Sequence, residues 1–244
     1  MKVSMPKAPL VSIIIPVDNS TEYIEAALSC VTDQKYGRLE IIVINDGSTD
    51  SSEDIILRFA ENDPRIIYKK TENRGPSAAR NTGIDIARGS FISFVDADDL
   101  VSDEYIRSMI AQIAPSDVCV CKKVRWNQHT GRSTVDGWKD CYGTKYDLKR
   151  HRLEYQRSMR GVTGRLFKTS IIRDNNVRFI EGMNYGEDMH FNYKYFKYID
   201  EAMFIDEALY TYRIHNKQSL TSQDHTFFLK QWSAQRRCIK DTFG

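Results

Sequence analysis

The chain lacks a long apolar run: nowhere in its 244 residues is there anything near the roughly 20 consecutive apolar positions that cross a bilayer. It lacks an excess of charge of one sign, with 35 Lys and Arg against 33 Asp and Glu, so no global nucleic-acid footprint is present. Cysteine is scarce and odd in number (Cys30, Cys119, Cys121, Cys141, Cys238), which excludes a disulfide framework and predicts free thiols in a reducing compartment. Cys119 and Cys121 have the spacing of one strand face, but no second Cys or His pair completes a zinc site, so they read as buried thiols. Internal repeats and low-complexity tracts are absent. Lys2 and Lys7 precede the apolar Val11–Val17, yet that run is short, contains Pro16 and stops at Asp18-Asn19 without a small-residue cleavage pattern. A secretory signal is therefore rejected, and a cytoplasmic location is the expectation.

What is present is an ordinary globular composition, 41% hydrophobic and 28% charged, on a chain long enough to bury a substantial core. The first half alternates apolar runs with helical patterns. Strands are predicted at Val11–Val17, Leu39–Ile44, Arg65–Tyr68, Phe91–Val95 and Asp117–Val124. Between them, Asn19 and Glu22 form a helix-start box before Tyr23, Ile24, Ala27, Leu28 and Val31. Asp50 and Glu53 open a second helix, Pro76 opens a third that Gly89 closes, and a fourth covers about Asp103 to Ile113. Such alternation predicts an α/β sheet, largely parallel, with ligands beyond the carboxyl ends of its strands. Asp18-Asn19, Asp46-Gly47-Ser48 and Asp96–Asp99 all fall at those ends.

The most informative of these is Phe91–Asp99, an apolar strand running into three carboxylates. If the strand continues, Asp96 and Asp98 share a face and can converge on one cation. Hard oxygen donors select Mg²⁺ or Mn²⁺, ions commonly shared with substrate phosphates. An Asp-rich turn with no ligand is the plain alternative, since Asp favours turns and helix caps.

After Trp126 the pattern weakens. Residues 139–173 hold ten Lys and Arg against three Asp and Glu, either a solvated basic surface or a face for an anionic lipid or acceptor. Apolar order returns at Leu166–Ile172, in a helix at Asp188–Tyr198, and in strands at Ala202–Ile205 and Ala208–Ile214. Phe227, Phe228, Leu229, Trp232 and Ile239 alternate with Lys230, Arg236, Arg237 and Lys240, a basic helix that packs on the domain or touches a membrane surface. The chain reaches Gly244 without a terminator, and continuation of the natural protein is the expectation. The predicted organisation is a tail at 1–9, a donor-binding half at 10–125, an acceptor-side half at 126–220 and an extension at 221–244.

Five motifs in order resemble family 2 glycosyltransferases of the GT-A fold, which build bacterial surface polysaccharides. They are Val11–Val17, Ile42–Asp50, Asn73–Gly83, Asp96-Ala97-Asp98-Asp99 and Gly186-Glu187-Asp188 with Phe191; Tyr212-Arg213-Ile214-His215 with Ser219 is a weaker sixth. The resemblance implies a Rossmann-like mixed sheet flanked by helices, a single catalytic domain with a C-terminal helical extension. It implies transfer of a sugar, with inversion, from a nucleotide-sugar donor to a saccharide or lipid-linked acceptor, at the inner face of the membrane where contact is peripheral. By resemblance, Pro16, Asp18, Asp46, Gly75, Arg80 and Asp96 surround the donor, and Asp46 accepts a hydrogen bond from its base. Asp98 holds Mn²⁺ or Mg²⁺, with Asp96 and His215 as further candidate ligands, Asp188 is the general base, and Glu187 faces the acceptor. Neighbouring helix positions point apart, so only one of Glu187 and Asp188 is expected to reach the sugar. Arg80 read alone is equally a surface arginine, His215 a structural histidine, and Asp99 a cap. The family commonly has an aromatic where this chain has Asp18, which cannot stack on a base, so UDP, GDP and dTDP all remain open.

Three rivals stand beside this reading. An Asp-nucleophile phosphatase also uses Asp-x-Asp after a strand, but near the chain start and with Thr or Val where Leu100 stands. A nucleotidylyltransferase needs a Gly-rich, Arg-bearing loop that does not follow Pro16. A nucleotide-sugar binding module without catalysis would bind donor and turn over nothing.

Overall fold

The computed structural model describes residues 8–136, 145–147, 161–183 and 186–215. The expected helix at the end of the chain, Cys141, Cys238 and Ser219 lie outside them. Four strands open the fold: β1 (Val11–Val17), β2 (Leu39–Asp46), β3 (Ile66–Thr71) and β4 (Phe91–Phe94). Helices α1 (Ile24–Thr32), α2 (Ser52–Asn62) and α3 (Pro76–Ile86) connect them. Then come β5 (Leu100–Val101), α4 (Tyr105–Ile113), β6 (Val118–Asn127), β7 (Ser133–Asp136) and β8 (Lys145–Asp147). Strand β9 (Arg165–Lys168), α5 (Thr169–Asp174), α6 (Glu187–Phe196) and β10 (Glu201–Ile214) complete the described elements. One sheet carries the order β3-β2-β1-β4-β9-β6-β10-β5, with β7 on β6 and β8 on β10.

The apolar runs of β1 and β2 are continuous because both faces of the sheet are covered. On one face Ile13, Ile15, Ile41 and Val43 meet Ile24, Leu28 and Val31 of α1 and, further along, Tyr105, Ile106 and Met109 of α4. On the other, Ile14, Ile42, Ile44 and Phe94 meet Phe167, Phe179 and Phe191. The aromatic cluster here is ordered, with Phe179 stacked on Phe191 at 4.3 Å and Phe94 edge-on to both. Helix α3 lies very close to the sheet: a Cβ on Gly83 would collide with Ile14 Cγ2. Cys119 and Cys121 are buried free thiols on one face, as expected.

Several expectations are corrected. The sheet is parallel only among β1–β4 and between β6 and β10. Strand β9 enters antiparallel between β4 and β6, so the Leu166–Ile172 stretch is a short strand followed by a helix. The two late strands are one, β10, irregular between Ile205 and Tyr210 where its register on β6 shifts. Helix α1 begins at Ile24, and Asn19, at φ 46, turns its side chain to accept from Thr49 N instead of capping. Strand β4 stops at Phe94, and Asp99 N closes a turn on Asp96 O at 3.1 Å, so Asp96 and Asp98 do not share a strand face.

Candidate active site

The carboxyl ends of β1, β2 and β4 open on the same side, and the acids expected there have distinct partners. Pro16 pairs in register with Ile44, which sets Asp18 beyond β1 close to Asp46 at the end of β2. Asp18 is exposed and takes hydrogen bonds from Asn19 Nδ2 at 2.9 Å and Asn73 Nδ2 at 3.3 Å. Burial and the neighbouring Asp46 hold its carboxyl above the usual range. Asp46 is almost wholly buried. Its carboxylate accepts from Gly75 N at 2.6 Å, Arg74 N at 3.1 Å and Thr71 Oγ1 at 3.1 Å. It therefore pins the loop that leads into α3, and Gly75, at φ 87, supplies the left-handed backbone that turn needs.

Arg80 is the centre of the site and is not a surface residue. Its side chain is 6% exposed and reaches Asp96 through Nη2 at 2.8 Å. Its Nη1 lies 3.4 Å from Asp188 and 3.8 Å from Glu187. Phe179 packs 5.4 Å from the guanidinium, and Asn81 beside it exchanges two hydrogen bonds with the Phe179 backbone. These contacts and the close seat of Gly83 on β1 aim the arginine inward. Burial pulls its charge toward neutrality, but Asp96 and Asp188, then Glu187, hold it above its ordinary pKa. One guanidinium thus joins the turn after β4 to the start of α6, and Asp188 lies 108 residues beyond Arg80 in sequence.

At that start Glu187 and Asp188 are the first two residues of α6. Both reach Nη1 of Arg80, the side chain that lies between them. Asp188 Oδ2 also accepts from Val162 N at 3.3 Å. Burial, with Asp188 next, raises Glu187 to about 7. Burial also raises Asp188, against Arg80. A carboxyl raised in the folded state contributes stability that is complete below its unfolded pKa and lost as pH rises through the folded value. The midpoint of urea unfolding is accordingly expected to fall between pH 5 and pH 8, and Glu187→Gln to flatten that fall; an unchanged slope would remove Glu187 as its source.

Asp98 turns away from this group to His215, whose Nε2 lies 2.8 Å from Asp98 Oδ2. The ring stacks on Tyr23 at 4.8 Å, and Nδ1 is buried with no hydrogen-bond partner among the described residues. A carboxylate oxygen and an imidazole nitrogen at this spacing suit neighbouring positions on one octahedral ion, whose ligands about 2.1 Å from the metal stand about 3 Å apart. Asp96, committed to Arg80, is the weaker candidate ligand. No cluster of three or more such side chains occurs among the described residues.

Sequence reasoning missed what Asp99 does. It is buried, accepts from Tyr210 Oη at 2.6 Å and from Arg213 N at 2.9 Å, and caps no helix. A carboxylate in that setting has no local sequence signal, since its partners lie in β10.

Comparison with known proteins was consistent. Residues 12–175 match the family described as Glycosyl transferase family 2. Among curated relatives, glycosyltransferase GlyA of Streptococcus pneumoniae is 33% identical over 84% of this chain and 30% of its own length. The putative glycosyltransferase EpsH of Bacillus subtilis is 32% identical over 86% of this chain and 62% of its own. This chain therefore spans less than two thirds of either. Among solved structures, S. aureus TarS 1-349 in complex with UDP-GlcNAc superposes with a TM-score of 0.76 at 24% identity, over 88% of this chain and 61% of that one. Mannosyltransferase PcManGT from Pyrobaculum calidifontis, in complex with GDP-Man and Mn²⁺, gives 0.64 at 21% identity, over 86% and 59%. These two show the same fold.

Proposed function

The chain belongs to glycosyl transferase family 2, and from that premise we propose that it moves a sugar, with inversion, from a UDP-sugar to a hydroxyl of a saccharide or lipid-linked acceptor in surface polysaccharide synthesis. The observation that carries this reading is the bridge from Asp96 through Arg80 to Asp188. It sets a donor-side acid and a second carboxylate on one fixed cation.

Asp188 takes the proton of the acceptor hydroxyl as it attacks the anomeric carbon, a task suited to a carboxylate whose pKa is raised toward the working range. Arg80 and the Val162 N–H hold the two oxygens of that carboxylate apart and aimed. One base facing the donor, with no covalent intermediate, inverts the anomeric carbon. Glu187 faces the acceptor from the same helix turn. Pro16, Asp18 and the loop held by Asp46 enclose the base, and Asp96 faces the donor's ribose. Asp98 and His215 would hold a divalent ion, Mn²⁺ or Mg²⁺, which when bound would supply positive charge at the departing diphosphate. The TarS complex with UDP-GlcNAc supports the donor class, and the Mn²⁺ of PcManGT supports the metal. The basic composition of residues 139–173 supports an anionic acceptor or lipid surface.

Thermal unfolding with UDP, GDP and dTDP, each with and without Mn²⁺, tests the reading. A ligand at a hundred times its dissociation constant stabilises by about 2.7 kcal/mol, a rise of about 5–10 °C in a chain of this size. UDP with Mn²⁺ is expected to give the largest rise, and Asp46→Asn, which loosens the loop at Gly75, to lose most of it. A panel in which no nucleoside diphosphate moves the transition would overturn the donor class.

A further inference from the structure

Lys123 is a half-buried charge that the proposed reaction leaves unused. It follows the apolar Val118–Cys121 in β6, and its ammonium donates to Thr163 Oγ1 at 2.6 Å. The same ammonium lies 5.3 Å from the centre of the Tyr210 ring. Its stem occupies the space beside Gly164, at φ 68, where a Cβ would come within 2.8 Å of Lys123 Cε. The decisive geometry is at Gly161. A Cβ there would stand 3.3 Å from Lys123 Nζ and 3.9 Å from Asp188 Oδ2. Ammonium and carboxylate therefore face each other across a bare Cα.

The turn between them is held from several sides. Gly161 O accepts from Arg165 Nε at 2.8 Å and Asn192 Nδ2 at 3.0 Å, and Thr163 bridges to Phe94 of β4. Val162, inside the turn, is the residue whose N–H reaches Asp188. We propose that Lys123 is a positioning residue for Asp188: through Thr163 it clamps the 161–164 turn onto that carboxylate, and its charge favours the anionic form. The catalytic meaning of this rests on Asp188 acting as the base; the electrostatic part does not.

The charges around the pair are Arg80 from α3, Asp96 from the turn after β4, and Glu187 from α6 itself. Lys123 meets Arg165 of β9, Asp99, Cys121 and the Tyr210 ring. Burial, then Arg165, lowers the Lys123 pKa, and Asp99, Cys121 and Asp188 oppose that. A unit charge at about 7 Å, in an effective dielectric of about 20, moves a carboxyl by roughly one to two pH units.

The test is carbon-13 carboxyl NMR on the full chain labelled at aspartate, with the Asp188 resonance identified by its loss in Asp188→Asn. Lys123→Met keeps the stem against Gly164 and removes the charge, and is expected to raise the Asp188 midpoint by roughly one to two units. Thr163→Val, which keeps the charge and frees the turn, is expected to raise it less. An unmoved midpoint in a folded Lys123→Met overturns the assignment. If that variant does not fold, an unmoved midpoint in Thr163→Val overturns it instead. Should Asp188→Asn retain sugar transfer, the base reading fails while a shift in the NMR midpoint still stands; the reverse pattern removes Lys123 alone.

Discussion

Asp188→Asn is expected to bind UDP as the parent chain does and to transfer sugar at least about a hundredfold more slowly, within the 10²–10⁴ range of general-base catalysis. The substitution is nearly isosteric, so the effect reads chemistry more than packing. Its oxygen can still accept from Arg80 or from Val162 N, but the amide nitrogen must face the other donor. What disappears is the capacity to hold the acceptor's proton. Binding is expected to be unaffected because the proposed base pocket, at Asp46 and the loop Arg74–Gly75, lies ahead of α3, whereas Asp188 is met by Arg80 from the middle of that helix. Calorimetric titration with UDP and the rate of UDP release from the donor that the parent turns over separate the two. Undiminished release would strike Asp188 from its role.

Arg80→Met is expected to be the most destabilising single change at the site, by about 3–5 kcal/mol at neutral pH, the cost of removing one partner from a buried ion network. Asp96, Glu187 and Asp188 would then share a pocket whose joint cation is gone. The sign of the pH effect follows. Protonating Glu187 and Asp188 relieves the repulsion, so the deficit relative to the parent is expected to be smaller at pH 5 than at pH 8. Arg80→Lys restores charge but not the fork that meets Asp96 on one nitrogen and Asp188 on another, so it recovers stability in part and transfer poorly. Urea unfolding at both pH values measures this; a deficit under about 1 kcal/mol at pH 8 would show that the three acids find charge compensation elsewhere.

How much of this was legible depends on how local each signal is. Strands β1 to β4 and their helices could be read because Val11–Val17 or Leu39–Ile44 carry enough apolar residues in a row to announce burial on both faces. The acids at the strand ends could be read for the same reason, since each follows such a run directly. Strand β9 could not: Arg165–Lys168 is four residues long with a charge at either end, and only its pairing with Phe91, Ile92 and Val118–Val120 makes it a strand. Arg80 sits mid-helix, where arginine usually faces water, and its burial is fixed by Phe179 and Asp188 about a hundred residues on. Asp46 was legible as an acid at a strand end but not as the anchor of Gly75. Lys123 left only the trace of a second lysine inside a strand that continues to Asn127, and Gly161 and Gly164 another, two glycines spaced to flank a turn. Neither trace means anything until the fold brings them together.

The contacts of Asp99 have a consequence for how substrate is met. By accepting from Tyr210 and from the Arg213 backbone, Asp99 rivets the acidic turn to β10, whose next residues lead to His215. Asp98 and His215 are therefore registered against each other by interior bonds, before any nucleotide arrives. A mouth cut to shape in advance spends little conformational freedom on capture, and more of the contact energy is left to show as affinity.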